Sequence, residues 1–212
     1  MTTQSLEAEL AARDRLYKAS AKKAEIVDVP AMDFLMIDGV GDPNGSRSYT
    51  DALEALYSLS YTLKFALKQA EAVNYRVAPL EGLWWSDDMD AFVSPARNAW
   101  RWTMMIAQPS VVTQAWVERA LEEVQRKKNP AALSLVRFER YHEGLAAQIM
   151  YIGPYSAEAP TIQRLHDFIR AQGGVFDGRV QKHHELYLGD PRRAAPEKLK
   201  TVIRQPFSRQ TP

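Results

Sequence analysis

Apolar residues recur at helical spacing in two long segments of the chain. The first begins at a predicted N-cap, Ser46 or Ser48, and keeps steps of three and four residues as far as Ala72. The second runs over about 156–171, with an inner face of Ile162, Leu165, Phe168 and Ile169. Both segments predict amphipathic helices. Shorter helices are predicted at residues 4–18 and 110–128.

Branched and aromatic residues between these helices predict strands. They lie at residues 26–29, 34–39, 75–78, 80–85, 99–107, 133–140, 146–152 and 183–189. The strands ending at Gly39 and Ile152 each run into a loop rich in glycine and proline, and then into one of the long helices. Further strands follow each helix. This recurrence predicts an internal duplication of a strand–helix–strand–strand unit.

Two such units predict an α+β fold. We expect tandem duplicated strand–helix–strand–strand units with antiparallel sheets, helices on one face and a central ligand groove between the halves. Residues 86–97, which contain three aspartates and Pro95, are expected to form a loop and are a candidate lid.

Composition narrows the class of protein. With 27 basic and 26 acidic residues the formal net charge is +1, so we expect no general attraction for nucleic acid. Cysteine is absent, which excludes disulfides, a thiol nucleophile and a cysteine-based zinc site. No apolar run reaches roughly 18 residues and the N-terminus is mixed polar and charged, so we expect no membrane partner, no signal peptide and a cytoplasmic location.

The strand at 183–189 carries the acid that we single out, Glu185. Strand alternation gives one face with His183, Glu185 and Tyr187, and another with His184, Leu186 and Leu188. We expect Leu186 and Leu188 to face the helices and Glu185 to point to the opposite surface, into the groove. A partly buried carboxylate held on a strand is suited to proton transfer. A solvent-facing glutamate on an edge strand explains the alternation at least as well.

Five tryptophans are many for a chain of this length. Trp100 and Trp102 would share one strand face with Met104, whereas Trp84 and Trp85 would point to opposite sides. Flat rings beside an acid suit a planar or cationic apolar ligand, through stacking and cation–π attraction. A tryptophan-rich second core explains the same pattern equally well.

Metal and cofactor chemistry find little support in the sequence. His183 and His184 are adjacent on a strand and point opposite ways, so they do not chelate one ion together. A zinc-protease pattern that begins at His142 would need a second histidine at the position of Ala146. Phosphate-binding and dinucleotide-binding glycine motifs and the G-x-S-x-G motif are absent. We therefore expect no metal and no cofactor.

Five blocks of sequence carry a family resemblance. They are FLMIDGVGDPN at 34–44, LEGLWW at 80–85, WRWTMMI at 100–106, QIMYIGPYS with PTI at 148–162, and HHELYLGDPRR with KLKT at 183–201. Together they resemble the GyrI-like small-molecule-binding family, in its stand-alone form without a DNA-binding domain. The resemblance implies residues 1–20 as a helical extension and 21–208 as the domain, with pseudo-repeats at about 21–107 and 131–206.

The resemblance also implies a function. Family members attached to DNA-binding helices sense drugs through an aromatic pocket with a central glutamate, and some stand-alone members hydrolyse the strained ring of cyclopropanoid genotoxins. By this resemblance, the central glutamate of the family corresponds to Glu185, and the aromatic walls of the pocket correspond to Trp84, Trp102, Tyr151 and Tyr187. Met104 and His183 complete the expected ligand site.

Three hypotheses follow for a protein whose partner is a small molecule. In the first, Glu185 acts as general base on water that attacks a strained, planar, largely apolar ligand, and Tyr151 or Tyr187 binds the leaving oxygen. In the second, Glu185 is only the counter-charge of a cationic ligand in a drug sensor or sink. The third, a protein-interaction inhibitor, finds no acidic or helical feature to favour it. The oligomeric state is left open.

Overall fold

A computed structural model describes residues 3–86 and 99–209 of the 212-residue chain. Within those ranges the helices are α1 (Thr3–Leu16), α2 (Arg47–Glu71), α3 (Gln114–Lys127) and α4 (Ala159–Ala171). The strands are β1 (Glu25–Val29), β2 (Met32–Val40), β3 (Leu80–Trp85), β4 (Arg101–Gln108), β5 (Arg137–Tyr141), β6 (Gly144–Ile152), β7 (Gly174–Val175), β8 (His183–Tyr187), β9 (Lys200–Pro206) and β10 (Ser208–Arg209). Except for Ser86, the candidate lid lies outside the described residues.

Eight strands form one antiparallel sheet, in the order β1-β6-β9-β8-β3-β4-β2-β5, that curls into a half-barrel. The unit β2–α2–β3–β4 supplies three neighbouring strands, and the unit β6–α4–β8–β9 supplies three more in the equivalent arrangement. The units meet where β3 pairs with β8. The predicted α+β fold of tandem strand–helix–strand–strand units is therefore confirmed.

The two outer strands are exchanged between the units. Strand β1 leads into β2 but pairs with β6 of the other unit. Strand β5 leads into β6 but pairs with β2. Each unit is thus bordered by a strand that precedes the other unit in the chain.

Helices α2 and α4 cover one face of the sheet. Ser46 caps α2 as predicted, because its hydroxyl accepts from the backbone N–H of Tyr49. The buried stripe of α2, which includes Leu56, Leu59 and Leu63, packs on β2 and β4. The shorter α4 packs on β6 and β9, where its inner face contributes Leu165 and Ile169 to a smaller apolar cluster.

Three local predictions are wrong. Residues 75–78 form no strand, although Tyr75 and Ala78 are buried, and Pro79 beside them lacks the N–H that a ladder needs. Helix α3 begins at Gln114 rather than near Ser110, because a turn closed from the N–H of Val112 to the carbonyl of Pro109 precedes it. The strand predicted over 133–140 begins at Arg137, after a 3₁₀ turn at Leu133–Leu135.

A buried ionic network occupies the sheet face opposite α2 and α4. His184 Nδ1 lies 2.8 Å from Glu143 Oε1, and His184 Nε2 lies 3.0 Å from Glu81 Oε2. The Nη1 of Arg204 donates to Glu143 Oε2 at 3.0 Å, and its Nε donates to Gln148 Oε1 at 3.1 Å. Two carboxylates thereby face two basic side chains, which is the pairing that buried charges require.

The network also holds the end of α1 against the sheet. Arg204 Nη2 donates to the carbonyl of Leu16 at 2.7 Å, and the Tyr17 hydroxyl donates to Glu81 Oε1 at 2.7 Å. Burial, followed by the charge of Glu81, raises the pKa of Tyr17 well above its ordinary value, so the hydroxyl stays protonated. None of the helices in residues 3–86 and 99–209 combines the length and apolarity needed to cross a membrane.

Replacing Arg204 by Leu is predicted to destabilise the fold. The change removes one of the two basic partners of the buried Glu143 carboxylate. Loss of one partner from a buried ion pair costs about 3–5 kcal/mol of stability. Chemical denaturation measures the free energy of unfolding. Arg170→Leu is the control, because Arg170 pairs with Asp167 on the surface and should cost at most about 1 kcal/mol. Equal losses from the two variants would contradict a structural role for the network.

The network also predicts a dependence of stability on pH. Although burial acts to lower it, Glu143 and Glu81 raise the pKa of His184 to about 9. Its stabilising contribution is therefore complete below the unfolded pKa of roughly 6.5 and is lost as the pH rises through the folded value. Between these two pH values, urea denaturation should show that the free energy of unfolding declines by an amount on the order of 1–3 kcal/mol. The decline should disappear in His184→Gln and persist in the control His142→Gln, because His142 is exposed. A decline that survives in His184→Gln would exclude His184 as its source.

Candidate functional site

Glu185 lies on the sheet face that carries α2 and α4. The register sets it opposite Gly82, which in turn lies opposite Met104. Tyr49 of α2 covers the same face, with its ring 6.5 Å from that of Trp84 and 5.5 Å from that of Trp102. The candidate site is therefore the part of this sheet face that lies beneath the helices, and we call it the groove.

The expected orientation of β8 is therefore wrong. Leu186 and His184 face away from α2 and α4, towards the other face of the sheet, where the buried network and the end of α1 lie. Strand β8 is central in the sheet and Glu185 is only 8% exposed, so the solvent-facing alternative on an edge strand is wrong as well.

The Glu185 carboxylate is held by its own strand. His183 Nε2 lies 3.0 Å from Glu185 Oε1, and Tyr187 is the next residue on the same face of the strand. Trp84 Nε1 donates in turn to the Tyr187 oxygen at 2.9 Å. Burial, followed by the charge of Glu185, raises the pKa of Tyr187 well above its ordinary value. Tyr187 therefore keeps its proton, and the contact with His183 orients one edge of the Glu185 carboxylate.

Tyrosines from both long helical segments close the groove. Tyr155, in the 3₁₀ turn Tyr155–Ala157 before α4, meets Tyr187 edge-on at 5.7 Å. Burial and then Glu185 raise the pKa of Tyr155 to about 12, and the same two causes raise the pKa of Tyr49. The carboxylate is thus surrounded by neutral hydroxyls and ring faces, and its ion-pair partner among the described residues is His183.

Two glycines provide the space in which the aromatic rings lie. A Cβ on Gly39 would fall 2.0 Å from the ring of Trp102, which therefore lies directly over the backbone. A Cβ on Gly82 would fall 2.8 Å from Trp84 Nε1 and 3.1 Å from the Tyr187 hydroxyl. Gly82 thus makes room for the hydrogen bond that orients Tyr187.

Most of the residues expected at the site come together. Trp84, Trp102, Met104, His183, Glu185 and Tyr187 share the groove face of β3, β4 and β8. Trp100 meets Trp84 at 5.9 Å, whereas Trp85 points away and lies under Lys182 at 3.7 Å. Tyr151 stands two strands from β8, and its hydroxyl donates to the carbonyl of Pro154 at 2.9 Å. Its catalytic role stays a prediction.

Sequence reasoning missed Tyr49, Tyr57 and Tyr155 as parts of the site. Tyr49 and Tyr57 lie on the side of α2 that packs against the core, and helical spacing alone does not distinguish them from core residues. A signal was present, because a buried tyrosine hydroxyl usually needs a polar partner, and two of them in one stripe indicate a polar site beneath the helix. Within residues 3–86 and 99–209, no group of acidic and histidine side chains is arranged to hold a metal ion.

Comparison with known proteins identifies the family. The model of the GyrI-like small molecule binding domain matches residues 22–207, and the chain therefore belongs to the GyrI-like family. No curated protein matches the chain significantly.

Solved structures are similar over nearly the whole chain. An uncharacterized conserved protein from Listeria innocua is 40% identical, with a TM-score of 0.85 over 93% of this chain and 98% of its own. A hydrolase from Listeria innocua is 38% identical, with a TM-score of 0.80 and the same coverage. The C-terminal domain of EcmrR, at 10% identity and a TM-score of 0.53 over 89% of this chain and 98% of its own, shares the fold alone.

Gly82→Ala is predicted to disturb the groove. The added methyl group displaces Trp84 or Tyr187, and overpacking of this kind costs about 1–3 kcal/mol. Near-ultraviolet circular dichroism should change together with the free energy of unfolding. Gly189→Ala is the matched control, because its Cβ would meet no atom closer than 3.6 Å. Equal spectra for both variants and wild type would contradict the close approach at Gly82.

Proposed function

We propose that the groove binds a planar, largely apolar electrophile and hydrolyses its strained three-membered ring, as in a cyclopropanoid genotoxin. The observation that carries the proposal is a nearly buried carboxylate, Glu185, in contact with His183 and beside Tyr187 and other aromatic rings. The hydrolase from Listeria innocua, at 38% identity over 93% of this chain, supports a hydrolytic reaction. The biological role would be self-protection or detoxification.

Binding in this proposal depends on the aromatic walls. Trp84 and Tyr49 offer rings on the helix side, and Tyr155, which is 36% exposed, stands at the rim. A ligand reaches Glu185 only after the rim rings move aside, because the carboxylate is almost closed off. Closure over the ligand then excludes bulk water and strengthens each polar contact inside.

The proposed reaction uses one water molecule. Glu185 takes a proton from the water molecule while the water oxygen bonds to the activated ring carbon. A C–C bond of the strained ring breaks in the same step. The electron pair of that bond passes into the conjugated dienone, whose oxygen becomes a phenolate stabilised by a tyrosine hydroxyl, Tyr187 or Tyr151. The proton on Glu185 then returns to the phenolate and restores the carboxylate. Ring strain activates the ligand, so base catalysis of about 10²–10⁴-fold suffices.

Binding without reaction is the second candidate. Its supporting observation is that Glu185 meets ring faces and hydroxyls, and pairs with His183 rather than with Lys or Arg among the described residues. A cationic ligand stacked between the rings would then find an available counter-charge. Such a protein would act as a drug sink or sensor.

The decisive experiment incubates the protein with a cyclopropane-containing alkylator and identifies the recovered compound by mass spectrometry. We expect a water-added product, formed about 10²-fold or more slowly by Glu185→Gln. Glu197→Gln, on an exposed 3₁₀ turn, is the matched control and should react as wild type. Ring opening by Glu185→Gln at the wild-type rate would refute the base assignment, and bound but unchanged ligand would establish the second candidate.

A further inference from the structure

Helix α2 carries a second aromatic feature on its outer side. Tyr57, Tyr61 and Phe65 follow one another at four-residue steps, with ring centroids 6.4 and 6.3 Å apart and ring planes inclined by 26° and 25°. Tyr61 is 46% exposed and Phe65 is 59% exposed. Tyr57 packs against the core, but Tyr61 and Phe65 are not among the buried residues of α2, so core packing does not account for these two rings at the surface.

The rings form one wall of a cleft between α2 and α3. The cleft has a volume of about 430 Å³ and is lined by Tyr57, Tyr61, Phe65, Val124, Lys127 and Lys128 among others. Pockets for small molecules usually measure roughly 300–1,000 Å³ and combine apolar walls with a few polar groups. We propose that this cleft is a second binding site, which takes a planar aromatic anion.

Charge determines the class of ligand. Lys127 and Lys128 stand on the α3 side, and Lys64 lies with its Nζ 5.7 Å from the ring centre of Phe65. Lys127 pairs with Glu123, so Lys64 and Lys128 supply the excess positive charge. A second copy of the chain is a poor occupant, because a symmetric contact would set these lysines against their own copies. An anion with a flat ring satisfies both the lysines and the stacked rings.

The cleft selects the opposite charge from the Glu185 groove. Tyr57 lines the cleft and lies near Tyr155 at the groove rim, whereas Glu185 is not among the residues that line the cleft. An anion that stacks along Tyr57, Tyr61 and Phe65 is repelled at the groove by Glu185. The second site is therefore independent of the proposed reaction.

The test measures binding of 1-naphthalenesulfonate by isothermal titration calorimetry, with 1-naphthylmethylammonium as the cationic counterpart. We expect saturable binding of the sulfonate in preference to the ammonium compound. The double variant Tyr61→Ser/Phe65→Ser should weaken it about tenfold, since each aromatic contact contributes a few-fold. Lys128→Glu should weaken it about threefold.

Two control variants make the result specific. Val180→Ser removes an apolar side chain that is 80% exposed and not part of the cleft, and should bind the sulfonate as wild type. Glu185→Gln should also leave the affinity unchanged. The proposal is overturned if wild type shows no saturable binding, if the double variant stays within twofold, or if Glu185→Gln alters the affinity. Dimerisation in sedimentation velocity that Phe65→Ser abolishes would assign the cleft to a second copy instead.

Discussion

The pairing of β3 with β8 joins the two units, and its register determines both faces of the protein. Strand side chains alternate, so a slip by one residue would exchange the faces completely. In the observed register His184 lies among Glu81, Glu143 and Arg204, while the next residue, Glu185, lies in the groove. A slip would place Glu185 among the charges of the network and leave His184 beneath α2. The ionic network therefore fixes the direction of Glu185, although no member of it faces the groove.

The same sheet holds carboxylates in two different electrostatic settings. Although burial acts to raise it, His184 and Arg204 lower the pKa of Glu143 to about 2, so that its charge is fully compensated within the fold. Glu185, on the other face, meets His183 and the neutral hydroxyl of Tyr187. A buried charge with its partners in place contributes to structure, whereas a carboxylate with fewer partners retains a capacity for protons or cations. The contrast separates Glu143, whose charge is paired within the fold, from Glu185, the acid on which the proposed function rests.

Periodicity was enough to predict α2, α4, most strands and the duplicated plan, because these depend on local spacing. It also placed Glu185 with His183 and Tyr187 on one strand face. It did not determine which face, since both sides of β8 are buried, one beneath α2 and the other beside the end of α1. Tyr49 and Tyr155 escaped prediction for a related reason, because their rings reach Glu185 only through packing between distant segments. The network around Arg204 likewise depends on how β6, β8 and β9 are paired, and the local sequence does not predict these registers.

The exchanged edge strands make the duplication an interlocked one. Glu25 of β1 lies opposite Gln148 of β6, and Asp33 of β2 lies opposite Arg140 of β5, so each border is closed by residues on the order of a hundred positions away. Neither half can complete its own sheet, and a chain interrupted midway would expose two open edges to other molecules. The two units are therefore not separable modules, because the sheet that carries the groove is complete only when β1 has paired with β6 and β5 with β2.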